Sequence, residues 1–129
     1  MPSQILIVDD HEAVRRGLRR MLEESPEWRV VGEAVDGRDA VEKTKELNPD
    51  LIVMDFLMPN MNGLEAAREI TKLPHHPPIL MLTMYMSRQL VEEARKAGVR
   101  GAVHKSETSK VVSALQALLR RETFFLPAK

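Results

Sequence analysis

A parallel α/β sheet covered by helices on both faces is the fold predicted by this sequence, and three observations predict it. Short β-rich apolar runs alternate five times with stretches whose apolar residues recur at helical spacing. The runs are apolar almost without interruption, as strands buried on both sides must be. Each run reaches the next through a helix, the connection that a parallel pair requires, and right-handed crossovers place helices on both faces.

The first strand is Ile5 to Val8, followed by a helix whose inner face is Val14, Leu18, Met21 and Leu22. Trp28 to Val35 reads as the second strand. Asp36 then caps a helix with Ala40, Val41, Thr44 and Leu47 on one face, stopped by Asn48-Pro49. Leu51 to Met54 is the third strand, and the loop "FLMPNMNG" leads through Asn62, an N-cap, into Leu64, Ala67 and Ile70. Pro78 to Leu82 is the fourth, ending at Thr83. Ser87 caps the next helix, which buries Leu90, Val91, Ala94 and Ala97 and stops at Gly98. The fifth strand, Gly101 to His104, ends at Lys105, and the last helix buries Val111, Val112, Leu115, Leu118 and Leu119. Residues 1–121 thus form one domain, while 122–129, "ETFFLPAK", lack any period and read as a tail or the start of a linker.

Composition excludes several classes of function. Lys plus Arg and Asp plus Glu each number 19, so net charge is zero and no overall field favours nucleic acid or an anionic membrane. The absence of cysteine removes disulfides, thiolate metal sites and cysteine nucleophiles, and suits a reducing compartment. No apolar stretch approaches the ~18 residues of a spanning helix, and acids appear by position 9, against a signal peptide. These features point to a soluble, cytoplasmic protein with no membrane partner.

Parallel strands send their C-terminal ends to one edge of the sheet, where ligands bind. Asp9 and Asp10, Asp55, Thr83 and Lys105 all lie at such ends. Adjacent buried carboxylates repel and resist desolvation, so the pair Asp9–Asp10 calls for a cation. Three carboxylates, a hydroxyl and an ammonium on one rim suit a hard divalent cation together with a phosphoryl group. Singly, each has a structural explanation as cap, strand former or solvated surface. Jointly, they occupy four of five strand ends.

The motifs "ILIVDDH", "DLIVMDFLMPNMNG", "ILMLT" and "GAVHKS", in this order and spacing, resemble the receiver domain of bacterial two-component response regulators over residues 3 to 121. The resemblance implies a flavodoxin-like five-stranded sheet of order 2-1-3-4-5 and a signalling switch rather than an enzyme. Asp55 is implied as the acceptor of a phosphoryl group from a sensor histidine kinase, with slow self-hydrolysis of the aspartyl phosphate. The implied cofactor is Mg²⁺, held directly by Asp10, Asp55 and the Leu57 carbonyl, with Asp9 acting through metal-bound water; no other cofactor is implied. Lys105 and Thr83 are implied to hold phosphoryl oxygens. Leu57 and Tyr85 flank the path of attacking water.

Three positions depart from the family pattern. Ala102 stands where an aromatic residue coupled to the Thr is common, Met84 where a small residue is common, and Ser106 where proline often follows the lysine. Among the histidines, His11 reads as a helix-start residue, His75 and His76 as solvated loop, and His104 as packing on the face opposite Lys105. The helix-one surface of Glu12, Arg15 and Arg16 is the expected approach for the kinase, and the last helix the expected surface for homodimerisation on phosphorylation. "LTMY", "AGVRG" and "TFF" are most like receivers joined to LuxR-type helix-turn-helix output domains, so DNA contact is implied only through such a domain outside these residues. A magnesium-dependent phosphatase of haloacid-dehalogenase type is the alternative. It wants an acid two residues after the nucleophile, where Leu57 stands.

Overall fold

The computed structural model describes residues 1–125. Strands β1 (Ser3–Val8), β2 (Trp28–Ala34), β3 (Leu51–Met54), β4 (Ile79–Thr83), β5 (Gly101–His104) and β6 (Phe124–Phe125) form one parallel sheet of order β2-β1-β3-β4-β5-β6. Helices α1 (Glu12–Leu22), α2 (Gly37–Leu47), α3 (Gly63–Ile70), α4 (Arg88–Lys96) and α5 (Val111–Leu119) connect the first five strands and follow β5, with a 3₁₀ segment over Lys105–Lys110. The sheet carries one strand more than the five expected. After α5, Arg121 takes a left-handed backbone (φ 64°) and turns the chain back. Phe124 then donates its N–H to the Arg100 carbonyl and runs beside Gly101 and Ala102. Residues 124–125 therefore belong to the sheet, and a two-residue strand is too short to show periodicity. The rest of the expected tail, 126–129, lies outside the described residues.

Alternation along the strands divides the core in two. Ile5, Ile7, Val53, Leu80, Leu82 and Val103 pack under Leu18 and Leu22 of α1 and Val111, Ala114, Leu115 and Leu118 of α5. Leu6, Val8, Ile52, Met54, Ile79, Met81 and Ala102 face α2, α3 and α4. Two expectations for the helices shift. Leu119 is 43% exposed, and Ala114 takes the buried place on α5 instead. Val91 is only half-buried on α4.

Helix boundaries follow local chemistry. The side chains of Asp36, Asn62 and Ser87 each accept the N–H three residues on, and Glu65 completes a capping box with Asn62. Asn48 closes α2 in the left-handed region (φ 49°), and Gly98 follows α4 at φ 95°. Among the described residues no helix is long and apolar enough to cross a membrane.

Candidate functional site

Strand order places the C-terminal ends of β1, β3, β4 and β5 side by side, and β1 neighbours β2 and β3 through parallel pairing. Asp9 and Asp10 follow β1, Asp55 follows β3, Thr83 closes β4 and Lys105 follows β5. Apolar strands carry Asp9 and Asp55 into the interior, where they are 2% and 5% exposed. Lys105 lies between them: Nζ is 2.8 Å from Asp9 Oδ2 and 3.0 Å from Asp55 Oδ2. Asp55 Oδ1 accepts the Phe56 N–H at 2.8 Å, and Asp9 Oδ1 accepts the His11 N–H at 2.9 Å.

Asp10 is on the exposed side of the cluster, joined by His11. The His11 ring Nδ1 is 3.1 Å from Asp9 Oδ1 and 3.2 Å from Asp10 Oδ1. Ligand atoms of Asp9, Asp10, His11 and Asp55 all lie within 4.8 Å of one another. One ammonium against three carboxylates leaves excess negative charge, and an oxygen-rich cluster fits a hard cation such as Mg²⁺. The structure thus brings together Asp9, Asp10, Asp55 and Lys105. Thr83, fully buried, accepts the Tyr85 N–H on its Oγ1 at 3.0 Å. Leu57 and Tyr85 stand in the loops after β3 and β4, 52% and 58% exposed.

The loop after Asp55 is pinned from two sides. Asn60 Nδ2 donates to Asp36 Oδ2 at 2.9 Å, and the Met61 carbonyl accepts the Gly37 N–H at 3.0 Å. The Asp39 N–H and the Asn60 amide hold Asp36 below the usual carboxylate range. Gly63 donates to the Phe56 carbonyl at 2.7 Å, and a Cβ at this glycine would overlap the Asp55 carbonyl oxygen.

Three readings of the sequence change here. His11 does more than start α1, since its ring reaches both acids; its adjacency to the pair was the available signal. Arg15 is not free on the helix surface: its side chain is 13% exposed and binds Glu33 of β2 at 2.8 Å. Only Glu12 and Arg16 remain open, paired with each other at 2.9 Å. His104 does not pack on the opposite face, because its Nδ1 accepts the Ser106 N–H at 3.0 Å and caps the 3₁₀ segment. His75 and His76 are exposed, as expected.

Burial pushes the Asp55 carboxyl above its ordinary value of 3.8, despite the opposing hydrogen bond from Lys105. Burial alone would lower Lys105, but its bonds to Asp9 and Asp55 outweigh it and hold the ammonium above 10.5. The signs have consequences for stability. A raised Asp55 favours the fold below pH 3.8 and opposes it as pH climbs through the raised value, whereas Lys105 supports the fold until pH passes 10.5 and its own raised value. In chelator, Asp55→Asn is therefore expected to unfold at higher denaturant than wild type at pH 7, the difference closing toward pH 3.8. Equal midpoints at pH 7 would contradict it.

A family model described as the response regulator receiver domain matches residues 5–116. The transcriptional regulatory protein YdfI of Bacillus subtilis is 38% identical over 126 residues, covering 97% of this chain and 59% of that protein. The response regulator protein VraR of Staphylococcus aureus is 39% identical over 128 residues, covering 98% and 61%. Among solved structures, a LuxR-family two-component response regulator from Aurantimonas sp. SI85-9A1 superposes with a TM-score of 0.91 at 35% identity, covering 98% of this chain and 90% of that one. The chain spans about three fifths of the length of these curated relatives.

Proposed function

This chain belongs to the response regulator receiver domain family, and from that premise we propose that it is a switch in which Asp55 accepts a phosphoryl group from a sensor histidine kinase. The observation that carries the proposal is the placement of Lys105 Nζ between the buried carboxylates of Asp9 and Asp55, with Asp10 beside them. Asp9, Asp10, Asp55 and the Leu57 carbonyl are the proposed holders of Mg²⁺, Asp9 through water. When bound, the cation neutralises charge on the transferring group. An Asp55 oxygen forms the new bond to phosphorus, and the bond from phosphorus to the kinase imidazole breaks with its electrons leaving on nitrogen. Lys105 then turns from Asp55 to a phosphoryl oxygen, and the Thr83 hydroxyl donates to another. That donation draws on the loop whose Tyr85 N–H Thr83 already accepts.

The proposal covers residues 1–121 as the switching unit, a cytoplasmic location, homodimerisation on phosphorylation through α5, and DNA contact only through an output domain beyond these residues. The test is incubation with acetyl phosphate and Mg²⁺ followed by intact-mass measurement. One added phosphoryl group is expected, and none after chelation of the metal, because unshielded carboxylates repel the donor. Labelling that survives chelation would overturn the cation's role.

Leu57 and Tyr85 are proposed to shield the aspartyl phosphate. Neither offers a base at neutral pH, since a phenol titrates near ~10. Hydrolysis is then slow, and the pair Leu57→Asn with Tyr85→Ser is expected to shorten the phosphorylated lifetime, more than either alone. Phosphate release after donor removal measures it, and coincident decay in wild type and double variant would end the shielding argument.

A further inference from the structure

β2 sends no ligand to the rim, yet its end is tied to the acid pair through α1. The Asp9 N–H donates to the Ala34 carbonyl at 3.0 Å. The Asp9 carbonyl accepts from Arg15 Nη1 at 2.7 Å, while Nε of the same guanidinium donates to Glu33 Oε1 at 2.8 Å. Arg19 Nε holds the other oxygen, Glu33 Oε2, at 2.9 Å, and Lys43 donates to the Glu33 main-chain carbonyl. Both backbone polar groups of Asp9 are thereby referred to Glu33 and Ala34, two successive residues of one strand.

From this we infer that Arg15 is a positioning residue for the cation site: its guanidinium locks the Asp9–Asp10 peptide against Glu33, so that both carboxylates are aimed before a cation arrives. The inference rests on the reading that Asp9, Asp10 and Asp55 hold Mg²⁺. Peptide units are planar, so fixing the Asp9 carbonyl also fixes the direction in which the chain leaves toward Asp10. Nothing else among the described hydrogen bonds holds that carbonyl. A guanidinium suits the task because its donors are rigidly spaced, one for the carbonyl and one for the carboxylate. A lysine keeps the charge but has no such fork.

Geometry and charge predict opposite outcomes, which makes the inference decidable. As a positive charge near the rim, Arg15 repels a cation, so a purely electrostatic role means that its neutralisation tightens binding. As a positioning group, its loss weakens binding. Arg15→Lys separates the two by holding charge constant.

Mg²⁺ binding is measured by titration calorimetry, well below the unfolding temperature, on wild type, Arg15→Lys, Glu33→Gln and the surface control Arg16→Lys. Partners that orient metal ligands are worth about 10–100-fold in metal affinity. Arg15→Lys is expected to bind about tenfold more weakly, Glu33→Gln to show a smaller loss, and Arg16→Lys none. Wild-type affinity in both Arg15→Lys and Glu33→Gln overturns the inference and leaves the phosphoacceptor reading intact. Glu33→Gln also decides the matter if Arg15→Lys fails to fold, since it keeps the guanidinium and removes its anchor. A wild type that binds no Mg²⁺ overturns both reading and inference.

Discussion

Asp55→Asn is expected to reduce labelling by acetyl phosphate from one phosphoryl group per chain to none. The amide preserves shape and still accepts the Phe56 N–H, but its oxygen is a far weaker nucleophile than a carboxylate oxygen. Asp9 and Asp10 are the competing acceptors. Asp9 Oδ2 is engaged by Lys105 and Oδ1 by the His11 N–H, which leaves little freedom for attack. Asp10 is exposed, but its labelling would not need Mg²⁺ held by Asp55. Intact mass and peptide mapping decide the matter: full labelling in the Asn variant would move the acceptor elsewhere. Because ionised Asp55 opposes folding, the same variant should be the more stable protein at pH 7, so lost labelling cannot be blamed on unfolding.

The architecture was legible because its signals are collective. Five apolar runs and three polar caps act over many residues, and Asp36, Asn62 and Ser87 all accept the expected N–H. The rim residues were legible for a related reason: a parallel sheet sends Asp9, Asp55, Thr83 and Lys105 to one edge whatever the details of the loops. What escaped notice depends on single side chains. Arg15 and Arg16 read alike in sequence, and only the helix rotation relative to β2 buries one and leaves the other in solvent. The His104 ring finds Ser106 two residues on, a local bond that competes with packing against the sheet. Phe124–Phe125 followed from neither pattern nor propensity, since two residues carry too little of either.

Lys105→Met is expected to lower stability in chelator by about 3 kcal/mol, the scale for removing one member of a buried charged group. Methionine keeps much of the aliphatic stem's packing, so the change reports charge. Without the ammonium, Asp9 and Asp55 face each other at 2% and 5% exposure with no cation from the protein between them. One must take up a proton or the site must open. Mg²⁺ should return much of the loss, since it supplies the missing charge from solution, and wild type should gain less from the same addition. Combining Lys105→Met with Asp55→Asn should recover part of the loss in chelator, because one of the two like charges is then gone. Denaturant midpoints with and without Mg²⁺ measure all four values. An unchanged midpoint for Lys105→Met in chelator would mean that the two carboxylates are already relieved by water, and that the lysine bridge contributes nothing to the fold.

Phe124–Phe125 bears on how copies of this chain can meet. The outer side of a sheet's last strand is a row of free donors and acceptors, open to any extended segment. β5 would present such a row, and with Gly101 and Ala102 in it there is little side-chain bulk to deter a visitor. Phe124 and Phe125 fill the row from within the same chain, and the Arg95 guanidinium sits 4.1 Å from the centre of the Phe125 ring, fastening so short a strand in place. The border then passes to a segment two residues long, too short to template sheet growth. Zippering of copies strand to strand is thereby discouraged at this border, and helix faces are left as the more available surface for reversible association.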